Sequence, residues 1–335
     1  MLKFKRILLI APSQMIRTPA FERAQALASA TGAALHIVAF DYVTALSVTG
    51  LLDPDAMAQA REGYLQVHRQ WLEEEACFQR RGGLEVSSEV LWGKASLAHV
   101  LAYVNDFQAD LVVKDIQYVS ALERTFHRPL DWLLLRDCPA SLHLVTDARH
   151  TKPLKVLATI DLSHLEELTD GLNERILKCA STLALACEAQ LHLLNVSNWS
   201  MLDDSTTAVP TEVLGRSLSD AVNDAQQEAF DMLAERHGIE RKHQHVLTGV
   251  PPQVISQFAG ENAFDVVVLG TAYRNWIDRR IGSTAESVLS STSCSLMIVK
   301  PLPGLSETGN DRGNDVPAES ANPERTDRLR LVPKP

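Results

Sequence analysis

The chain repeats itself. Val90-Leu91-Trp92-Gly93 reads like Val246-Leu247-Thr248-Gly249, and Ala34-Leu35-His36-Ile37 reads like Gln190-Leu191-His192-Leu193, both at an offset of 156 residues. The stretch from Phe107 to Val113 matches Asn262 to Val268 at an offset of 155. Cys138 precedes Leu142-His143-Leu144-Val145 much as Cys294 precedes Leu296-Met297-Ile298-Val299. At the front, Lys5 to Ile10 matches Leu154 to Thr159 at 149, so about seven residues entered between the first and second strands of the later copy. Matches in one order at nearly constant offset point to duplication of a domain-sized unit, far longer than a solenoid repeat. Two such units and a remainder account for the 335 residues. The expected organisation is 1–149, 150–302 and a tail, 303–335.

Within each copy the strand candidates are short, continuous and aliphatic. They are Ile7–Ile10, Leu35–Phe40, Leu84–Val90, Leu111–Val113 and Leu142–Val145, then Val156–Ile160, Leu191–Val196, His243–Leu247, Val266–Leu269 and Leu296–Val299. Runs without strict alternation are the mark of strands covered on both faces in a parallel sheet. Helical patterns lie between them. Tyr64, Val67, His68, Trp71 and Leu72 follow three-and-four spacing, as do Leu218, Ala221, Val222, Ala225, Ala229, Met232 and Leu233. Asp53-Pro54 reads as an N-cap and first helical residue. Strands alternating with helices imply an α/β class: two tandem Rossmann-like domains, each a five-stranded parallel sheet flanked by helices.

Composition narrows the function classes. Thirty-two basic residues stand against 42 acidic ones, a net charge of -10, which argues against a nucleic-acid partner. No apolar run has the roughly 20 residues of a membrane helix, so no membrane insertion is expected. Five scattered cysteines without a paired motif fit a reducing cytoplasm and no metal site. The tail holds five Pro, three Gly and eleven charged residues among 33, too little apolar surface to offset ordering, so disorder is expected.

Ligands of open parallel sheets bind at the carboxyl ends of the strands, near the switch in strand order. In the second copy Asp161 ends the first strand, and the fourth runs into Gly270-Thr271-Ala272-Tyr273-Arg274. Further on come Arg279-Arg280-Ile281-Gly282-Ser283-Thr284-Ala285-Glu286. Ser283 and Glu286 form a capping box, so a helix is expected to start there. Its first amides, with Thr284, Arg274 and Arg280, would make an anion site of phosphate size. The plainer reading also stands: a glycine marks a turn, and a strand-end aspartate caps the next helix.

These features resemble the universal stress protein family, and the likeness covers both copies, most closely its bacterial tandem-domain members. The resemblance implies an adenine nucleotide alpha hydrolase-like fold and a stress-response role in the cytoplasm. In the branch that binds ATP or another adenine nucleotide, with magnesium as a potential companion, the first-strand Asp meets adenosine and a glycine motif holds the phosphates. Carried over, Asp161, Gly270, Gly282, Ser283 and Thr284 match, whereas Tyr273 replaces the middle glycine and the loop to Gly282 is shortened to eight residues. Tyr273 then reads as a stacking group or as a plug in the cradle. The first copy has Ala11-Pro12 at the aspartate position, and Val113-Lys114-Asp115 ends its fourth strand without glycine. No nucleotide is expected in that half; Lys114 and Asp115 read as another ligand's contacts or a surface ion pair.

The long segments after each second strand, Asp41–Ala58 and Ser197–Ser217, carry apolar residues. They fit a lid, an interface or packing on the sheet edge. They keep a second function class open: a stress-response scaffold for a protein partner or an apolar, lipid-like ligand. No Walker loop, GxSxG elbow or GxGxxG fingerprint occurs, which leaves little basis for an enzyme beyond weak ATP hydrolysis. His243 and His245 share a strand face; they read as a weak metal pair or, more simply, as edge-strand surface histidines. Cys138 and Cys294 read as packing residues. Single-domain relatives pair through their last strands, so Leu142–Val145 and Leu296–Val299 are expected to join the halves as an internal pseudo-dimer.

Overall fold

The computed structural model describes residues 4–43, 54–117, 129–146, 149–163, 171–197, 211–271 and 283–301, with the side chains of 54, 211–221 and 283 left aside. The first half runs β1 (Arg6–Ala11), α1 (Pro19–Thr31), β2 (Ala34–Asp41), α2 (Pro54–Arg81), β3 (Val86–Trp92), α3 (Leu97–Phe107), β4 (Leu111–Asp115), α4 (Leu130–Asp137) and β5 (Ser141–Val145). The second runs β6 (Lys155–Ile160), α5 (Leu172–Cys187), β7 (Gln190–Ser197), α6 (Thr211–Arg236), β8 (Gln244–Thr248), α7 (Pro251–Glu261), β9 (Val266–Gly270), α8 (Ser283–Ser291) and β10 (Ser295–Val299). A 3-10 turn, Arg241–His243, leads into β8.

The ten strands form one sheet in the order β3-β2-β1-β4-β5-β10-β9-β6-β7-β8. Within each half the strands pair in parallel, and the halves meet where β5 and β10 run antiparallel, Leu144 opposite Leu296 and Leu142 opposite Ile298. The expected last-strand contact is therefore the joint of a single continuous sheet. Strand order reverses between β1 and β4 in the first half and between β6 and β9 in the second, which fixes where each half has its crevice.

Burial on both faces explains the aliphatic runs. Ile7 and Leu9 of β1 enter one core layer with Phe21, Leu27, Leu65, Leu72, Ile176 and Phe230. Leu8 and Ile10 enter the opposite layer with Val100, Val104, Leu134, Ile255 and Leu289. Each layer spans both halves, and each such side chain contributes about 1.5–3 kcal/mol on leaving water. Thr18 caps α1, accepting from the Phe21 amide at 3.4 Å ahead of Pro19, and Gly32 ends the helix at φ 68°, a left-handed cap that suits glycine.

Polar groups also cross between the halves. Arg23 of α1 is fully buried; its Nη2 donates to the His150 carbonyl at 2.7 Å and its Nη1 lies 3.4 Å from His143 Nε2. Lys300 donates to the carbonyls of Leu135 and Arg136, two of the acceptors exposed at the end of α4. Burial pushes the Lys300 amine down to about 8.

Three local expectations change. On α2 the inward stripe is Leu65, His68, Leu72 and Ala76, with Val67 exposed, because the helix is rotated toward the positions that face β3. Met232 of α6 likewise faces outward while Ala229, Phe230 and Leu233 are buried. His243 lies in the turn before β8 rather than in the strand. The long segments lie mostly at 44–53 and 198–210, outside the described residues, as do Asp53 and the tail from 302 onward.

Candidate functional site

The second-half crevice is built on the carboxyl ends of β6 and β9, which pair in parallel with Ala158 opposite Val268. Asp161 follows β6 and is exposed. Its backbone is clamped by Asn173 near the start of α5: the Asp161 amide donates to Asn173 Oδ1 at 3.2 Å, and Asn173 Nδ2 donates to the Asp161 carbonyl at 2.7 Å. The carboxylate is left outside that clamp. Its Oδ1 accepts from the Ser163 amide at 2.9 Å and from the Ser163 hydroxyl, an Asx turn that fixes the side chain at the crevice mouth. Thr271, just past β9, is buried, and its amide donates to the Val299 carbonyl at 3.1 Å.

Gly270 ends β9 against the first turns of α5. A β-carbon there would meet Leu172 Cδ2 at 2.9 Å and Ile176 Cδ1 at 3.0 Å. The space left by the missing side chain is therefore occupied by protein, and the helix can approach the strand end closely because the residue is glycine. Thr284 lies half-buried in the first turn of α8. Arg274, Arg280 and Gly282 lie outside the described residues, as do Tyr273 and Arg279. The structure thus brings Asp161, Gly270 and Thr271 together at adjacent strand ends. The described part of this strand-end region presents a carboxylate, that of Asp161, to solvent.

The corresponding strand end of the first half carries buried polar pairs. Lys114 and Asp115 end β4, and Lys114 Nζ lies 2.7 Å from Asp131 Oδ1 of α4, both side chains buried. Asp131 Oδ2 also accepts from the Gln117 amide at 2.6 Å, and Lys114 Nζ donates to the Asp115 carbonyl at 2.8 Å. Asp115 itself accepts from the Ala20 amide at the start of α1, at 2.9 Å. The surface-pair reading of Lys114 and Asp115 is corrected here: the pair is buried and its acid is Asp131. A partner on a helix 17 residues further along gave no signal in spacing.

The cysteines behave as packing residues. Cys138 and Cys294 are buried, and desolvation raises both thiols, Cys138 to about 11. His243 and His245 sit at the edge strand β8 and the turn before it. Both are half-buried, with their rings 4.2 Å and 5.3 Å from that of His192 on β7. Among the described residues no group of three or more His, Cys, Asp or Glu is arranged to hold a metal ion. His192 escaped the sequence reading; the repeat offset, which sets it opposite His36, was the available signal.

Two Rossmann-like units joined edge to edge through their last strands, with a crevice at each strand-order switch, define the class of protein. The universal stress protein family profile matches residues 3–145 and 169–300. The chain belongs to the universal stress protein family. It is 27% identical over 306 residues to universal stress protein E of Escherichia coli K12, covering 90% of this chain and 95% of that one. The Haemophilus influenzae homologue is 25% identical over 308 residues, covering 90% and 98%. Solved structures share the fold. A Pseudomonas aeruginosa protein of unknown function superposes with a TM-score of 0.68 at 23% identity, over 89% of this chain and 93% of that one. A universal stress protein from Archaeoglobus fulgidus gives 0.58 at 16%, over 88% and 96%. No helix among the described residues is long and apolar enough to cross a membrane.

Proposed function

We propose that this chain is a cytoplasmic stress-response protein that takes one adenine nucleotide, in its second half only. The observation carrying this reading is the contrast at the strand ends. Asp161 stands exposed beside Gly270 and Thr271, whereas the corresponding strand end of the first half carries the buried Lys114–Asp131 pair. In this reading the Asp161 carboxylate accepts from the nucleoside's hydroxyl donors, held in place by Ser163 and Asn173. The phosphates lie toward the start of α8, where the helix dipole favours an anion and Thr284 stands in the first turn. Gly282 and Ser283 complete that end on the family pattern, and Arg274 and Arg280 add positive charge from the same loop. A nucleotide bound there would tie β6, β9 and α8 together and stabilise the second half by linkage. Magnesium would accompany the phosphates as a counter-charge.

Titration calorimetry of the full chain tests this. ATP should bind with one site, and Asp161→Ala should weaken it at least tenfold with unchanged folding. Equal weak binding of ATP and adenosine would remove the phosphate end of the reading, and no binding of either would remove it altogether.

The second reading, a scaffold without nucleotide that holds a protein or an apolar ligand, draws on Gly270. Its smallness is already used to seat Leu172 and Ile176. Mass spectrometry of small molecules released from the purified protein separates the two, since the scaffold reading expects no stoichiometric adenine nucleotide.

A further inference from the structure

The two copies can be compared position by position at the outer edge of each half. Val38 pairs with Glu89 in the first and Leu194 with His245 in the second, both at the 156-residue offset of the repeat. His36 therefore corresponds to His192, Ser87 to His243, and Glu89 to His245; Tyr103 of α3 corresponds to Phe258 of α7.

In the first half these residues form a closed chain. His36 Nδ1 lies 2.7 Å from Ser87 Oγ, and its Nε2 bonds the Tyr103 hydroxyl. Tyr103 in turn donates to Glu89 at 2.6 Å. Both ring nitrogens are matched by groups that can donate or accept, and a carboxylate stands behind to offset a positive charge. In the second half the same positions carry three imidazoles and a phenylalanine. His192 Nδ1 lies 3.0 Å from His245 Nε2 with the rings 6° from parallel, and the His243 ring lies 4.2 Å away. His192 Nε2 is buried without a partner. Phe264 meets the His192 ring edge-on at 4.9 Å, and Phe258 packs on His245 at 4.8 Å.

The charges facing this stack are mostly of the wrong sign to hold a protonated ring. From β6 comes Lys155, whose ammonium donates to the Asn262 carbonyl at 3.3 Å. The turn brings Glu240 and Lys242, paired at 2.7 Å, and β8 brings only His245. The α7 side presents phenylalanines. Asp265, the next acid along, is occupied by the amides of Leu154 and Lys155 and by His150.

From this geometry we infer that the His192–His243–His245 stack is an acid-responsive fastening of the edge strand β8, which opens on acidification while its counterpart β3 stays closed. One proton can be shared between His192 and His245; further protons put like charges 4–5 Å apart over phenylalanine rings, and that repulsion is relieved when β8 and its turn leave β7. Burial and the neighbouring imidazoles push His192 down to about 4, so the folded edge holds it neutral where the opened edge would not. Its contribution is complete above the ordinary histidine value of about 6.5 and is lost as pH falls toward 4. His36 is also lowered by burial, but Glu89 opposes that shift.

Hydrogen–deuterium exchange on the nucleotide-free full chain, corrected for the intrinsic pH dependence of exchange, tests this at pH 7 and pH 5. Protection over 244–248 should fall on the order of tenfold, a value discounted for solvent screening of the half-exposed rings. Protection over 86–92 should change less than about twofold. Grafting the first-half solution, H243S/H245E/F258Y, should flatten the pH response of β8, and the milder H245Q should reduce it. An equal change at both edges, or none at β8, would overturn the inference, as would an unaltered response in H245Q.

Discussion

The ends of β4 and β9 occupy equivalent positions and have been put to different uses. In the first half Asp115 reaches the Ala20 amide of α1, and Lys114 pairs with the buried Asp131 of α4. In the second half the residue matching Asp115 is Gly270, over which Leu172 and Ile176 of α5 press down. Asp161 is displayed at the neighbouring strand end. Duplication has kept the sheet, the helices and the crevice position while separating the chemistry. One strand end has become internal structure and the other displays a carboxylate.

The largest expected effect breaks the buried first-half pair. Lys114→Met leaves Asp131 buried with, among the described residues, the Gln117 amide to hold it, so urea denaturation should show a loss of about 3–5 kcal/mol. Replacing Asp131 with Leu as well should recover much of that loss, because no uncompensated charge then stays buried. Gly270→Ala addresses the equivalent spot in the second half. The new methyl group would sit 2.9–3.0 Å from Leu172 and Ile176, side-chain atoms with some freedom to move, so about 1 kcal/mol is expected in the same assay. A further comparison uses Asp161→Ala. Its bonds to Ser163 are local and exposed, so stability should stay within about 0.5 kcal/mol while ATP affinity falls. If stability falls by several kcal/mol instead, the residue is a structural cap and the contrast between the halves loses its functional side.

Much of the architecture was legible because burial on both sheet faces leaves uninterrupted aliphatic runs, and a near-constant offset exposes duplication without any structural knowledge. The pairing of Leu142–Val145 with Leu296–Val299 came instead from the family resemblance, in which single-domain members pair through their last strands. Local rotation was less legible. Val67 and Met232 fit a helical spacing yet face solvent, since three-and-four periodicity tolerates a stripe shifted by one position. Side-chain partners across the fold were not legible at all: nothing in spacing joins Lys114 to Asp131, or Arg23 to the His150 carbonyl. Asp161, Gly270 and Thr271 were visible as strand-end residues, but that the space beside Gly270 belongs to α5 is a fact of packing. The histidine stack lay in between, written into the repeat as His36 against His192 and readable only once the register of β7 and β8 was known.

The inequality of the halves is tested most directly by native mass spectrometry of the intact chain with ATP. The account predicts one nucleotide per chain, retained in Lys114→Met at a temperature where that variant stays folded and lost in Asp161→Ala. Two nucleotides per chain, or one that survives Asp161→Ala, would contradict it.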